Sequence, residues 1–102
     1  DNTWAHIFLG HALANQNQLE DAIAAYRQVL NQPSERRTNL GNSHAIALNG
    51  LGAVLQRQGK MKEAIAQFEK AVDADLNYEA AQRNLQRAKQ LAQRPAQKIA
   101  LR

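Results

Sequence analysis

The sequence predicts an all-α fold of two helical hairpins stacked side by side and closed by a single capping helix. Three observations carry this. Apolar residues recur at helical spacing, the chain repeats itself once, and the same turn position in each copy holds a residue suited to a left-handed backbone. The repeat is the strongest of the three. Leu9–Leu30 aligns without a gap on Leu51–Val72, pairing Leu9 with Leu51, Gly10 with Gly52, Leu13 with Leu55, Ala22 with Ala64, Ile23 with Ile65 and Tyr26 with Phe68. The shift is 42 residues (51 minus 9).

In the second copy Leu48, Leu51, Gly52 and Leu55 fall at i, i+3, i+4 and i+7, and Met61, Ala64, Ile65, Phe68, Ala71 and Val72 resume the pattern. Gly59 lies between them and ends the first helix with a positive φ; Asn17, the next best residue for that conformation, takes its place in the first copy. Each copy therefore folds as an antiparallel hairpin. Gly10 facing Ala22, and Gly52 facing Ala64, are expected to let the paired helices approach closely. The segment 33–42 reads as a loop between repeats, since Pro33 interrupts the preceding helix, and Asn42 or Ser43 is placed to cap the next. Beyond it Tyr78, Ala81, Leu85, Ala88 and Leu91 share one face of a further helix, for which Asn77 is available as cap. Gln82, Arg83, Gln86, Arg87, Lys89, Gln90 and Gln93 give that helix a face suited to water. The expected boundaries are one domain over 1–93, with repeats at 3–32 and 43–76 and a capping helix at 77–93, then a mobile tail over 94–102, where Pro95 stands.

At Leu9, Gly10, Ala22 and Tyr26, and again at Leu51, Gly52, Gly59, Ala64, Phe68 and Ala71, the chain resembles the tetratricopeptide repeat family. The long spacing is similar to the 42-residue variety found in kinesin light chains and related bacterial arrays. His6 and Leu48 stand where the family has Trp, Leu76 stands where it has the closing Pro, and Pro33 is displaced by one. The resemblance implies a right-handed α-α superhelix whose first helices line a concave groove that binds a peptide or protein segment. On this chain it assigns to that groove Trp4, Ile7, Phe8, His11 and Asn15, then Ile46, Asn49, Gly50, Ala53 and Arg57, then Ala80, Arg83, Asn84, Arg87 and Leu91. Of these, Trp4, Ile7 and Phe8 supply an apolar end, Asn49 a main-chain hydrogen bond, and His11, Arg83 and Arg87 the polar contacts. Arg83 and Arg87, one turn apart, suit a carboxylate or acidic side chain. The Lys, Asn and Arg clamp with which some relatives hold chaperone tails is missing, because the matching positions are Ile7, His11, Gly50, Ala80 and Asn84.

Charge and composition exclude other classes. The chain of 102 residues has a net charge of +4 and no Cys, so disulfides and thiolate chemistry drop out. Positive charge gathers late: Glu79 is the last acid, followed by Arg83, Arg87, Lys89, Arg94, Lys98 and Arg102. With no aromatic residue among those bases to stack on, nucleic-acid binding ranks well behind protein binding. No apolar run is long enough to span a bilayer. His6, His11 and His44 have no metal-ligand spacing, Ser34 and Ser43 lie in the expected loop or at its edge, and no phosphate-cradling Gly-rich loop occurs. No catalytic residue, metal or cofactor is therefore expected, and a cytoplasmic setting is. The absence of an initiator Met points to a piece of a longer protein. The alternative to a peptide-binding scaffold is a self-association module or an internal part of a longer array, with Trp4, Ile7 and Phe8 as its seam.

Overall fold

A computed structural model describes residues 2–37 and 40–100, with side chains described through Gln93. Five helices follow in order: α1 (Thr3–Asn15), α2 (Leu19–Leu30), α3 (Ser43–Arg57), α4 (Met61–Ala74) and α5 (Glu79–Ala100). A two-stranded ribbon, β1 (Arg36–Arg37) and β2 (Gly41–Asn42), lies between α2 and α3. The helices pair as α1 with α2 and α3 with α4, α2 packs on α3, and α5 closes against α4 and α3. The fold is an all-α helical repeat, as the periodicity predicts.

Both hairpin turns use the expected residue. Asn17 has φ +64° and Gly59 has φ +82°, and the residue after each donates its N–H back to Leu13 and Leu55 respectively, satisfying carbonyls the helix end leaves open. At the helix starts, the side chains of Asn2 and Asn42 accept the N–H groups of Ala5 and Ala45 at 3.1 and 3.0 Å. Asn42, rather than Ser43, is the cap of α3.

The close approach of the paired helices has a different partner from the one expected. A Cβ on Gly10 would stand 2.6 Å from Tyr26 Cε1, and one on Gly52 would stand 2.6 Å from Phe68 Cε1. Each glycine thus clears room for the aromatic ring four residues beyond the small Ala, since a ring needs more depth than an alanine methyl. Tyr26 also enters a second clearing, because a Cβ on Gly50 would meet its Cζ at 2.5 Å. One ring therefore locks α1 to α2 and α2 to α3. Around it, Trp4, Ile7, Val29, Ala47, Val54, Leu55 and Phe68 are buried in one core.

The segment expected as a loop is an ordered latch at its two ends. Arg36 pairs with Asn42 and Arg37 with Gly41 in antiparallel register, and Ser43 Oγ accepts the N–H of Glu35 at 2.8 Å. Glu35 accepts the Trp4 indole N–H at 3.1 Å, and the Arg37 guanidinium lies 4.8 Å above the Trp4 ring. On the other side Arg36 pairs with Asp75 at 3.1 Å. Burial alone would raise the Asp75 pKa, but the Asn77 N–H, the Arg36 charge and the Asn42 N–H together hold it below the usual carboxylate value. The residues that lengthen the repeat thus tie the start of α1 to the turn between α4 and α5.

The capping helix departs from expectation at both ends. Its entry is organised by Asp75, which accepts the Asn77 N–H at 3.1 Å, rather than by Asn77 as cap. It also continues past Gln93 and through Pro95 to Ala100, where a tail was expected. Proline removes one N–H from the helical ladder, and the flanking turns carry on around that gap. The remainder of the expected tail, 101–102, lies outside the described residues.

A candidate ligand groove

The first helices of the two hairpins and the capping helix present a shared face. Between α1 and α3 it holds a concavity of about 430 Å³, lined among others by His11, Asn15, Tyr26, Asn49, Ala53 and Arg57. Between α3 and α5 lies a second, of about 370 Å³, lined by Ala53, Gln56, Arg57, Phe68, Asn84 and Arg87. The two share Ala53 and Arg57, so they form one groove that crosses α3.

Two hydrogen-bonded pairs and one arginine give the groove its polar geometry. His11 Nδ1 and the Tyr26 hydroxyl are 2.6 Å apart, with the rings edge to face at 5.6 Å. Partial burial lowers the His11 pKa, and burial, aided by Tyr78, pushes the Tyr26 phenol up to about 12. Both shifts favour the neutral forms, which makes this pair a hydrogen-bonding edge and a poor source of acid or base catalysis. Asn84 donates from Nδ2 to Asn49 Oδ1 at 2.9 Å, fixing α5 against α3. Arg57 donates from Nη1 to the Ala14 carbonyl at 2.7 Å and from Nη2 to Asn17 Oδ1 at 3.1 Å. Its positive charge thus sits at the carbonyl end of α1, where the helix dipole favours a cation. Among the described residues, no Asp or Glu lines either concavity.

Only some of the residues assigned to the groove from the sequence meet there. His11, Asn15, Asn49, Gly50, Ala53, Arg57, Asn84 and Arg87 line it. Trp4 and Ile7 do not, because they are 4% and 1% exposed within the core. Phe8 is 52% exposed but lines neither concavity, and Arg83 points into solvent, 3.5 Å from Glu79 of its own helix. Gly50, also assigned to the groove, lines the first concavity and lies under the Tyr26 ring. The hydroxyl of Tyr26 is the addition that the pattern did not offer. It belongs to a second helix, and the absence of side chains at Gly10 and Gly50 lets it reach the groove. Among the described residues, no group of three His, Asp or Glu is placed to hold a metal, and no helix is long and apolar enough to cross a membrane.

No curated protein matches the sequence. Residues 1–77, however, match the tetratricopeptide repeat, a module that generally mediates contacts between proteins and generally lacks catalysis. With three quarters of its length matched and with both hairpins built on the same glycine and aromatic pairing, the chain belongs to the tetratricopeptide repeat family.

Proposed function

We propose that this chain is a non-catalytic cytoplasmic scaffold that binds an extended peptide or protein segment along the groove from His11 to Arg87, with an acidic side chain or carboxylate of that segment between Arg57 and Arg87. The observation that carries the reading is the lining itself. Two guanidinium groups, the Asn49, Asn84 and Gln56 amides and the His11 and Tyr26 pair are gathered over an Ala53 floor with no carboxylate among them. A charge-assisted bond to a carboxylate is shorter and stronger than a neutral one, and two arginines from different helices can address one acid from both sides. Arg57 is already oriented by its bonds to α1, so little side-chain freedom is lost when a ligand arrives.

The test is selection of binders from a displayed library of random peptides, followed by mapping of one binder through amide chemical shifts. We expect enrichment of Asp, Glu or a free C-terminal carboxylate, with shifts at His11, Asn49, Ala53 and Arg87. Arg87→Glu should weaken binding about tenfold or more, the scale of one lost charge-assisted contact, while Arg83→Glu should leave it nearly unchanged. Binders without acidic character, or an equal loss from the two substitutions, would reject the arginine seat.

A further inference from the structure

The three helices that line the groove, α1, α3 and α5, all begin at the ribbon. At the start of α1, Glu35 accepts the Trp4 indole N–H at 3.1 Å and Arg37 lies over the Trp4 ring. At the start of α3, the fully buried Ser43 exchanges two bonds with Glu35. Its N–H donates to the Glu35 carbonyl at 2.6 Å, and its Oγ accepts the Glu35 N–H at 2.8 Å. At the turn into α5, Arg36 meets Asp75 at 3.1 Å, and the same carboxylate accepts the Asn42 N–H at 3.4 Å.

Elsewhere the groove is held by other ties. Arg57 binds the last turn of α1 to α3 through the Ala14 carbonyl and Asn17, and Asn84 binds α5 to α3 through Asn49. Helix α1 packs on α2 and α3, and α5 packs on α4 and α3. The separation of α1 from α5 across the groove is therefore set by two routes, through α3 and through the ribbon.

The weak point of the second route is the ion pair. The Asp75 side chain is 4% exposed, whereas that of Arg36 is 57% exposed. A carboxylate so far from water depends on its cation. Without Arg36 it keeps only backbone N–H partners, and its charge is relieved by admitting water, which parts the ribbon from the turn between α4 and α5. Neither Arg36 nor Asp75 lines the groove.

We infer that Arg36 and Asp75 are positioning residues of the groove: through them the ribbon fixes the starts of α1, α3 and α5 against one another, and so sets the width across which Arg57 and Arg87 face a ligand. The consequence for binding rests on the peptide-binding reading. The spacing itself is measured with no ligand present, so the two fail separately.

The chain has no Cys, which lets spin labels be placed at chosen exposed positions. Labels on Ala5→Cys and Gln86→Cys report α1 against α5, and labels on Ala5→Cys and Gln18→Cys report the first hairpin alone. Distances are read by pulsed electron paramagnetic resonance. Arg36→Ala should broaden the α1 to α5 distance and lengthen it by about 1–2 Å or more, the scale on which packed helices shift, and leave the hairpin distance unchanged. Arg36→Lys keeps the charge and should restore the original distance. Arg36→Gln keeps the stem without the charge and should repeat the lengthening, which serves if Arg36→Ala fails to fold by circular dichroism. An acidic peptide selected on the unsubstituted chain should bind Arg36→Ala about tenfold more weakly and Arg36→Lys nearly as well as before. An unchanged α1 to α5 distance, an equal change within the first hairpin, or a changed distance with undiminished affinity would overturn the inference. If no acidic peptide binds the unsubstituted chain, the peptide-binding reading fails and the two distances alone decide the role of Arg36 and Asp75.

Discussion

The two hairpins solve one packing problem with one device and then diverge at a single atom. In each, a glycine on the first helix clears space for an aromatic ring on the second, Gly10 for Tyr26 and Gly52 for Phe68, with the same 2.6 Å approach to a hypothetical Cβ. Phe68 stops there as a 1% exposed core ring that also floors the second concavity. Tyr26 goes further. It lies against Gly50 of the next hairpin as well, and its hydroxyl emerges beside His11 in the groove. The comparison teaches that the joint between repeats and the polar edge of the groove are one side chain. Packing and the polar lining of the groove are therefore coupled in the first unit and separable in the second.

The harshest way to break this comparison is to remove each ring. Truncating a buried aromatic residue to Ala costs about 3–5 kcal/mol, a large fraction of the stability of a domain this size. Phe68→Ala should fall in that range, and Tyr26→Ala at its upper end or beyond, because it empties two clearings instead of one. Urea unfolding followed by helical circular dichroism measures both. A smaller loss for Tyr26→Ala than for Phe68→Ala would contradict the double role. Next in size is Gly50→Ala, whose added methyl must displace the Tyr26 ring. Overpacking of this kind costs about 1–3 kcal/mol even though Ala is the better helix former. The loss should largely vanish when Gly50→Ala is placed in a Tyr26→Ala background. A double-mutant cycle showing independent effects would mean that the ring is not what Gly50 accommodates.

Much of this fold was legible from local pattern. The hairpins, both left-handed turn residues, the Asn42 cap and the stacking order follow from spacing and side-chain chemistry that act within a few residues. The groove was legible only by half. His11, Asn49 and Arg87 lie where helical phase puts them, but phase alone cannot say whether Trp4 and Ile7 face a ligand or a lid. Ile7 is buried in the helical core, and Glu35 and Arg37 at the start of the ribbon come back onto Trp4, a return that no periodicity encodes. Leu9 shows the converse. Its match to Leu51 implied packing, yet Leu51 lies on a helix that α2 covers, and among the described residues Leu9 stays 49% exposed. Pro95 marked an end that the backbone does not respect, since one missing N–H weakens a helix without compelling it to stop.

The subtlest test makes the first unit resemble the second by one atom. Tyr26→Phe retains the ring in both clearings and deletes the hydroxyl bonded to His11, so the expected loss near neutral pH is about 0.5–1.5 kcal/mol, that of one hydrogen bond. The companion effect is on pH dependence. Burial lowers the His11 pKa below 6.5, so between its folded value and 6.5 the unfolded chain binds a proton that the folded chain resists. The sign follows: the stability contributed by neutral His11 is complete above 6.5 and is lost as the pH falls through its lowered folded value. His11→Gln removes this contribution, so its stability relative to wild type should improve on moving from pH 7.5 to pH 5.5, by urea midpoint. Tyr26→Phe keeps the imidazole in its partly buried place and should retain most of the wild-type slope. An unchanged difference between wild type and His11→Gln at the two pH values would remove His11 as a source of acid sensitivity. A Tyr26→Phe variant as stable as wild type would reduce the hydroxyl to a passive occupant of the groove edge, leaving Arg57 and Arg87 as its chemistry.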